Sequence, residues 1–280
     1  MPRGNRRRTG QGIVTPVGAV QGAQAAAPDG QFVEALARGL RLLECFRDGD
    51  DHGLSNKEIA ARTTLPAPTV SRLCHTLRRL GYLAYDPRTG RYAMGPAVLK
   101  LSYVMLRSID LRQIVRPVLR DFAEQTRVTV AINIRDRLRM VVLEGVSGTS
   151  PVALRLDVGS RIPIVSTAAG RAYLAGLILS DAADVLAEIR LSDPEAWQSN
   201  LPGIERACEE IRAHGFCITQ GGWHKEVNGV AVPLSLKSAG GQLSLSCGGP
   251  AQDLSVKRME RELGPMLLDV KVEIVRRISD

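Results

Sequence analysis

Several kinds of residue are scarce in this chain of 280 residues. Aromatic residues make up 4% of it, so its cores must be built from Leu, Val, Ile and Ala. No window of about 18 apolar residues runs uninterrupted, which leaves no candidate membrane-spanning helix. The arginines Arg3, Arg6, Arg7 and Arg8 are followed by no apolar segment, so the N-terminus does not read as a secretory signal. The five cysteines, Cys45, Cys74, Cys208, Cys217 and Cys247, are scattered and form no C-x-x-C pair. Neither a zinc site nor a disulfide framework is indicated, and they read as small buried residues of a reducing cytoplasm. Of the four histidines, His75, His214 and His224 have no acidic or cysteine partner at an informative spacing. Without metal-ligand spacing or a local nucleophile motif, the expectation is no enzyme, no metal and no cofactor.

What is present is a globular composition, 44% hydrophobic and 24% charged, with a formal net charge of +8. The length suggests two domains, each large enough to bury a core. The positive balance favours a polyanionic partner.

The stretch from Leu54 to Tyr92 is the most informative. Ser55 followed three residues later by Glu58 is a capping box, in which each side chain satisfies an orphan backbone N–H. Thr63 and Thr64 end that first short helix. A second helix is expected to start at Pro68, because proline suits a first helical turn and disfavours a helical residue before it. Val70, Leu73, Cys74, Leu77 and Leu80 recur at helical spacing as a buried stripe. The opposite face carries Thr69, Ser71, Arg72, His75 and Arg79, and Gly81 is a C-cap candidate. Tyr82–Tyr85 and Arg91–Met94 flank a Pro- and Gly-containing loop and predict a hairpin with Arg88 and Arg91 at or beside its tip. A solvated amphipathic helix explains the second helix alone. Capped helix, tight turn, basic helix and basic hairpin in succession predict a winged helix-turn-helix that reads DNA.

Around this stretch the chain divides into four parts. Residues 1–30 form a basic tail with no apolar period, expected to be disordered. Residues 31–95 make the DNA-binding domain, beginning with a helix from Phe32 to Phe46 whose Val33, Leu36, Leu40, Leu43 and Phe46 share an apolar face. Residues 96–110 form a linker helix rich in Val98, Leu99, Leu101, Val104 and Met105. Residues 111–280 mix helices and strands in an α+β arrangement. There Leu111–Gln125 is a helix, Val128–Ile134 and Leu138–Glu144 a hairpin continued by Val152–Leu156, and Gly159–Pro163 a loop. Helices are expected over Asp181–Ile189 and Ile204–His214. Short strands follow over Phe216–Thr219, Val230–Leu234 and Leu243–Cys247, then a last helix to Ile278 capped by Asp253 and interrupted at Gly264-Pro265.

One helix start invites a small molecule. Ser166 or Thr167 caps it, and Ala168, Ala169 and Gly170 leave its backbone N–H groups bare, which suits an anion. A plain capped helix with small residues for close packing fits the same pattern.

Taken together these motifs resemble the IclR-type transcriptional regulators, from Phe32 to Ile278. Leu65-Pro66-x-x-Thr69-Val70-x-Arg72-Leu73 is similar to that family's recognition helix. Gly159-x-Arg161-x-Pro163 followed by Thr167-Ala168-x-Gly170-Arg171-Ala172 is similar to its effector-domain signature. Gly215-Phe216, Val230-Ala231-Val232-Pro233 and Gly249-Pro250 fall in the same order. Ala35-Leu36-Ala37-Arg38-Gly39-Leu40 resembles the branch that regulates aromatic-acid and β-ketoadipate catabolism. The resemblance implies a winged-helix domain, a linker helix, a GAF-like effector domain, and dimers or dimers of dimers on palindromic operators. It also implies an effector cavity bordered by Thr167, Ala168, Ala169 and Gly170, with Thr219, Gly229, Ser246 and Gly248 on its other side. Many members have an acidic residue at the place of Thr219, some a cysteine at that of Gly229, and often a serine at that of Gly248, so polar side-chain contacts are fewer here. Trp223 and His224 stand near the implied mouth. The expected function is a DNA-binding regulator modulated by a small organic acid, an aromatic one in the branch it resembles. The alternative is a ligand-independent DNA binder whose C-terminal domain is structural or serves dimerisation.

Overall fold

The computed structural model describes residues 31–47, 49–101, 111–149, 154–177, 179–236 and 241–279. The basic tail, most of the linker helix with Val104 and Met105, and the start of the Val152–Leu156 strand lie outside the described residues. The chain divides into two compact units, Val17–Ser108 and Ile109–Asp280. No described helix is long and apolar enough to cross a membrane.

The smaller unit contains helices α1 (Glu34–Glu44), α2 (Asn56–Thr63) and α3 (Ala67–Arg79), then strands β1 (Leu83–Asp86) and β2 (Arg91–Met94). Its core joins Leu42, Cys45, Leu54, Ile59, Val70, Cys74 and Leu83. Each fully buried Leu, Ile or Val there contributes about 1.5–3 kcal/mol. Burial pushes the thiols of Cys45 and Cys74 up to about 11, so both pack as small apolar groups.

The expected stripe on α1 is corrected. Gly39 and Leu42 face the core, whereas Phe32, Val33, Leu36 and Leu40 are at least half exposed. Apolar residues surround this helix, and contact with α3 selects which side is buried: a Cβ on Gly39 would touch Leu73 at 3.9 Å. Leu80 also leaves the stripe expected of α3, being 60% exposed. It is the C-cap, and the chain turns away at Gly81, whose φ is 79°. There Gly81 N donates to Arg78 O and Tyr82 N to Leu77 O, the paired bonds that close a helix on a left-handed glycine.

The larger unit is a six-stranded antiparallel sheet of order β5-β4-β3-β8-β7-β6 with helices on both faces. Its strands are β3 (Thr129–Asp136), β4 (Arg139–Val146), β5 (Arg161–Pro163), β6 (Cys217–Gln220), β7 (Val227–Leu236) and β8 (Gly241–Pro250). Helices α4 (Leu111–Thr126) and α9 (Gly264–Ser279) pack together and against the sheet. Helix α5 (Ala168–Gly176) lies over β7 and β8, backed by α7 (Pro194–His214), which is preceded by α6 (Leu179–Ser192). A short α8 (Val256–Arg258) and a π-helical turn over Met259–Leu263 lead into α9.

Four sequence expectations change here. Arg161–Pro163, expected in a loop, is β5 and pairs with Arg139–Val141. Leu154–Leu156, expected in a strand, has no strand pairing. It buries Leu154 and Leu156 instead, and Thr129 Oγ1 donates to the Leu154 carbonyl at 2.7 Å. Helix α7 starts ten residues earlier than expected, at Pro194, where Asp193 caps Ala196 N at 2.9 Å. Ser255, not Asp253, caps the last helical segment.

Candidate nucleic-acid interface and effector face

In the smaller unit the capping box is formed. Ser55 N donates to Glu58 Oε2 at 2.8 Å, and Glu58 N donates to Ser55 Oγ at 3.3 Å. The same carboxylate receives Arg91 from β2, at 3.2 Å to Oε1, while another Arg91 nitrogen donates to Gly53 O at 2.6 Å. Leu54 and Tyr92 exchange backbone hydrogen bonds of 2.7 and 2.8 Å. The start of α2 and the base of the hairpin are thus one assembly, and the Arg91 guanidinium is engaged within the protein.

Hydrogen bonds from Ser55 and Arg91 lower the Glu58 carboxyl from 4.5 to about 2. The folded pKa is depressed, so the unfolded chain takes up a proton first as acidity rises. The stability from this clamp is fully present above about pH 4.5 and is lost as pH falls toward 2. Melting midpoints of the parent chain should therefore fall more steeply over that interval than those of Glu58→Gln; parallel curves would argue against the clamp.

Helix α3 carries no acidic residue, and Val70 and Cys74 bury its inner side. Ser71, Arg72, His75 and Arg79 are exposed, and Thr69 is half-buried. Arg72, His75 and Arg79 follow one another at helical spacing on one face. Thr76, also exposed, returns its hydroxyl to Arg72 O at 3.0 Å. Arg78 sits 5.4 Å above the Tyr85 ring and ties the end of α3 to β1; the alternation of β1 was the only sequence sign of that contact. At the hairpin tip Arg88 is 85% exposed and only loosely paired with Asp86, at 3.5 Å. Arg62 holds the turn before α2 by pairing with both oxygens of Asp50 and with Cys45 O.

In the larger unit Thr167 caps α5. Its Oγ1 accepts from Gly170 N at 3.1 Å and donates to Pro163 O at 2.6 Å. The Gly170 N–H is therefore spent, leaving those of Ala168 and Ala169 facing out of the first turn. Gly170 is required for contact: a Cβ there would lie 1.9 Å from Ile164 O.

Below this helix start the sheet register aligns Thr219, Gly229, Gly248 and Thr129 across β6, β7, β8 and β3. A Cβ on Gly229 would lie 3.6 Å from Ala168 Cβ and 3.7 Å from Thr219 Oγ1. One on Gly248 would lie 3.5 Å from Leu154 Cδ2. Ser246 stands two residues before Gly248 on β8, and its Oγ accepts from Asn133 Nδ2 at 2.9 Å. The structure thus brings Thr219, Gly229 and Ala168 together around one spot. Leu154 and Asn133 were missed by sequence reasoning. Asn133 is fully buried, with no partner for Oδ1 among the described residues; an Asn at an inward position of an apolar strand was the available sign. The loop after β6 closes over the helix start, since a Cβ on Gly222 would lie 2.0 Å from Ser166 O. In that loop the Trp223 and His224 rings lie 4.6 Å apart, and His224 Nε2 is buried without a partner among the described residues.

Two family profiles match the chain: the IclR helix-turn-helix domain over residues 35–87 and the bacterial transcriptional regulator IclR C-terminal domain over residues 103–276. The HTH-type transcriptional regulator TsaQ1/TsaQ2 of Comamonas testosteroni is 33% identical over 87% of this chain and 89% of its own length. A crystal structure of an IclR family transcriptional regulator from Brucella abortus superposes with a TM-score of 0.76 at 40% identity, covering 91% of this chain and 96% of that one. An IclR homolog from Microbacterium hydrocarbonoxydans, crystallised with 4-hydroxybenzoate, shares the fold at a TM-score of 0.68 and 22% identity, over 88% of this chain and 99% of that one.

Proposed function

The chain belongs to the IclR family of transcriptional regulators, and on that basis we propose that it binds a palindromic operator and releases or tightens on it when a small organic acid, an aromatic one by preference, occupies the effector face. The observation that carries the DNA assignment is α3, an acid-free helix with Arg72, His75 and Arg79 on one exposed face. A major groove about 12 Å wide admits such a helix. Thr69, Ser71, Arg72, His75 and Arg79 meet base edges or flanking phosphates, and Arg88 reaches a phosphate from the wing tip. Arg91, clamped by Glu58 and Gly53, orients the wing. The exposed apolar face of α1, Phe32 to Leu40, supports pairing with a second copy, as a palindromic site requires.

The effector assignment rests on the bare first turn of α5 standing over the Thr219–Gly229–Gly248 row. An acid's carboxylate accepts from the Ala168 and Ala169 N–H groups at the positive end of the helix. Thr167, Gly170 and Ser246 shape the walls, and Gly229 and Gly248 place no side chain of their own between the helix and the sheet. The structural relative that holds 4-hydroxybenzoate makes aromatic acids the first to try.

Thermal shift against a panel of benzoates and short aliphatic acids tests this. At least one acid is expected to raise the melting midpoint of the parent chain, at concentrations about 100-fold above its Kd by the equivalent of about 2.7 kcal/mol. Gly229→Val, which fills the space between Ala168 and Thr219, should abolish the shift and leave DNA binding intact. A shift that survives this substitution would place the ligand elsewhere.

A further inference from the structure

A cavity lies beside the edge strand β6. It measures about 290 Å³ and is bounded by Arg171 of α5, Arg206 and Glu210 of α7, and Glu260 of the π-helical turn. Of the effector residues only Thr219 also borders it.

Four charged side chains face this space without a direct ion pair among them, although Arg171 is attracted by Glu210 and repelled by Arg206 across it. Among the described residues no nitrogen of Arg171 or Arg206 comes within 4.0 Å of a carboxylate, and Glu260 has no cation within that distance. Arg171 is held by neutral acceptors, Val165 O at 2.9 Å and Asn200 Oδ1 at 3.5 Å. Gly203 backs its guanidinium so closely that a Cβ would lie 2.3 Å from one terminal nitrogen. Glycine inside a helix costs about 1 kcal/mol relative to alanine, and here it makes room for a half-buried arginine that borders the cavity. Glu210 spends one oxygen on the Ile218 N–H, at 3.0 Å, which also blunts the sheet edge.

The cavity continues into a neighbour of about 300 Å³ that shares Glu210, Ile218 and Glu260 and adds His214 and Phe216. Cations thus stand at one end, carboxylates in the middle, and an apolar floor of Phe216 and Ile218 at the other. A simple anion would leave the carboxylates opposed to it, and a simple cation would leave the arginines so. We propose that this cavity binds a zwitterion, an α-amino acid with an apolar side chain. Its carboxylate lies against Arg171 and Arg206, its ammonium against Glu210 and Glu260, and its side chain over Phe216. The site is distinct from the acid-binding face, which it meets at Thr219.

Calorimetric titration of the full chain with L-phenylalanine, L-leucine and L-methionine tests it, using 3-phenylpropionate and 2-phenylethylamine as analogues that each lack one charge. At least one amino acid is expected to bind with a Kd between about 10 μM and 1 mM. For L-phenylalanine, each analogue should bind at least about 10-fold more weakly than the parent compound. Arg206→Ala and Glu260→Gln, both at exposed positions, should each weaken the amino acid about 10-fold or more, and Gly229→Val should leave it unchanged. No binding by any of the three up to about 10 mM, analogues that bind as well as the amino acid, or indifference to Arg206→Ala and Glu260→Gln would overturn the proposal. Loss of binding in Gly229→Val alone would also overturn it, by assigning the amino acid to the effector face.

Discussion

Gly170→Ala should destabilise the larger unit by about 3 kcal/mol or more, the upper end of what overpacking costs. The added methyl would sit 1.9 Å from Ile164 O and 2.4 Å from that residue's C and Cα. These are backbone atoms, so no rotamer change relieves the clash. The first turn of α5 must shift, which separates Thr167 Oγ1 from Pro163 O and disturbs the buried Ala168 and Ala169. At about 2–4 °C per kcal/mol the melting midpoint of that unit should fall by roughly 10 °C. Gly159→Ala is the control. Unlike that of the helical Gly170, its φ is positive, at 90°, and nothing lies within 4 Å of the added Cβ, so only the left-handed strain of about 1–2 kcal/mol is expected. Equal losses in the two variants would show that contact with Ile164 is not what fixes Gly170.

Arg72→Ala should cost about 1–3 kcal/mol on the chain's own operator, the value of one good bidentate base contact. Random duplex should be affected far less, because the nonspecific term is a sum of many phosphate contacts. Arg72 is exposed on the acid-free side of α3, and its neighbours His75 and Arg79 share that face. Arg88→Ala should behave differently: weaker binding to both duplexes and a salt dependence shallower by about one charge. Fluorescence anisotropy on an operator recovered by selection from random duplexes, repeated over a salt series, separates the two. If Arg72→Ala lost equally on operator and random DNA, Arg72 would be a phosphate contact and base reading would pass to Ser71, His75 or Arg79.

The sequence was most legible where local rules are strong. The capping box, the 3.6-residue stripe and Gly81 defined α2 and α3 to within a residue or two, since each depends only on near neighbours. The Thr167 cap was legible for the same reason. Helix α1 was misread because apolar residues on several sides satisfy more than one stripe, and only packing against Leu73 chooses. The ten residues missing from the expected α7 contain Pro194, Pro202 and Gly203. Proline at the first helical position is a start signal rather than a break, and Gly203 serves Arg171, a contact 32 positions away in sequence by the numbering. The alignment of Thr219, Gly229 and Gly248 depends on the register of three strands, which no local pattern encodes; family resemblance supplied those residues. The bond from Arg91, expected on DNA, to Glu58 spans 33 positions, and no local pattern encodes it.

In the proposed function one chain couples an acid-binding face to DNA affinity. Such coupling exists only if the acid binds the DNA-competent and DNA-incompetent arrangements unequally. It is tested most directly by titrating the selected operator with the full chain, with and without a saturating acid identified by thermal shift. The operator Kd should change by at least about 5-fold, the lower end of typical coupling energies, and Gly229→Val should show no change. An operator Kd that stays the same at saturating acid would contradict the claim and leave a DNA-binding protein whose ligand does not regulate it.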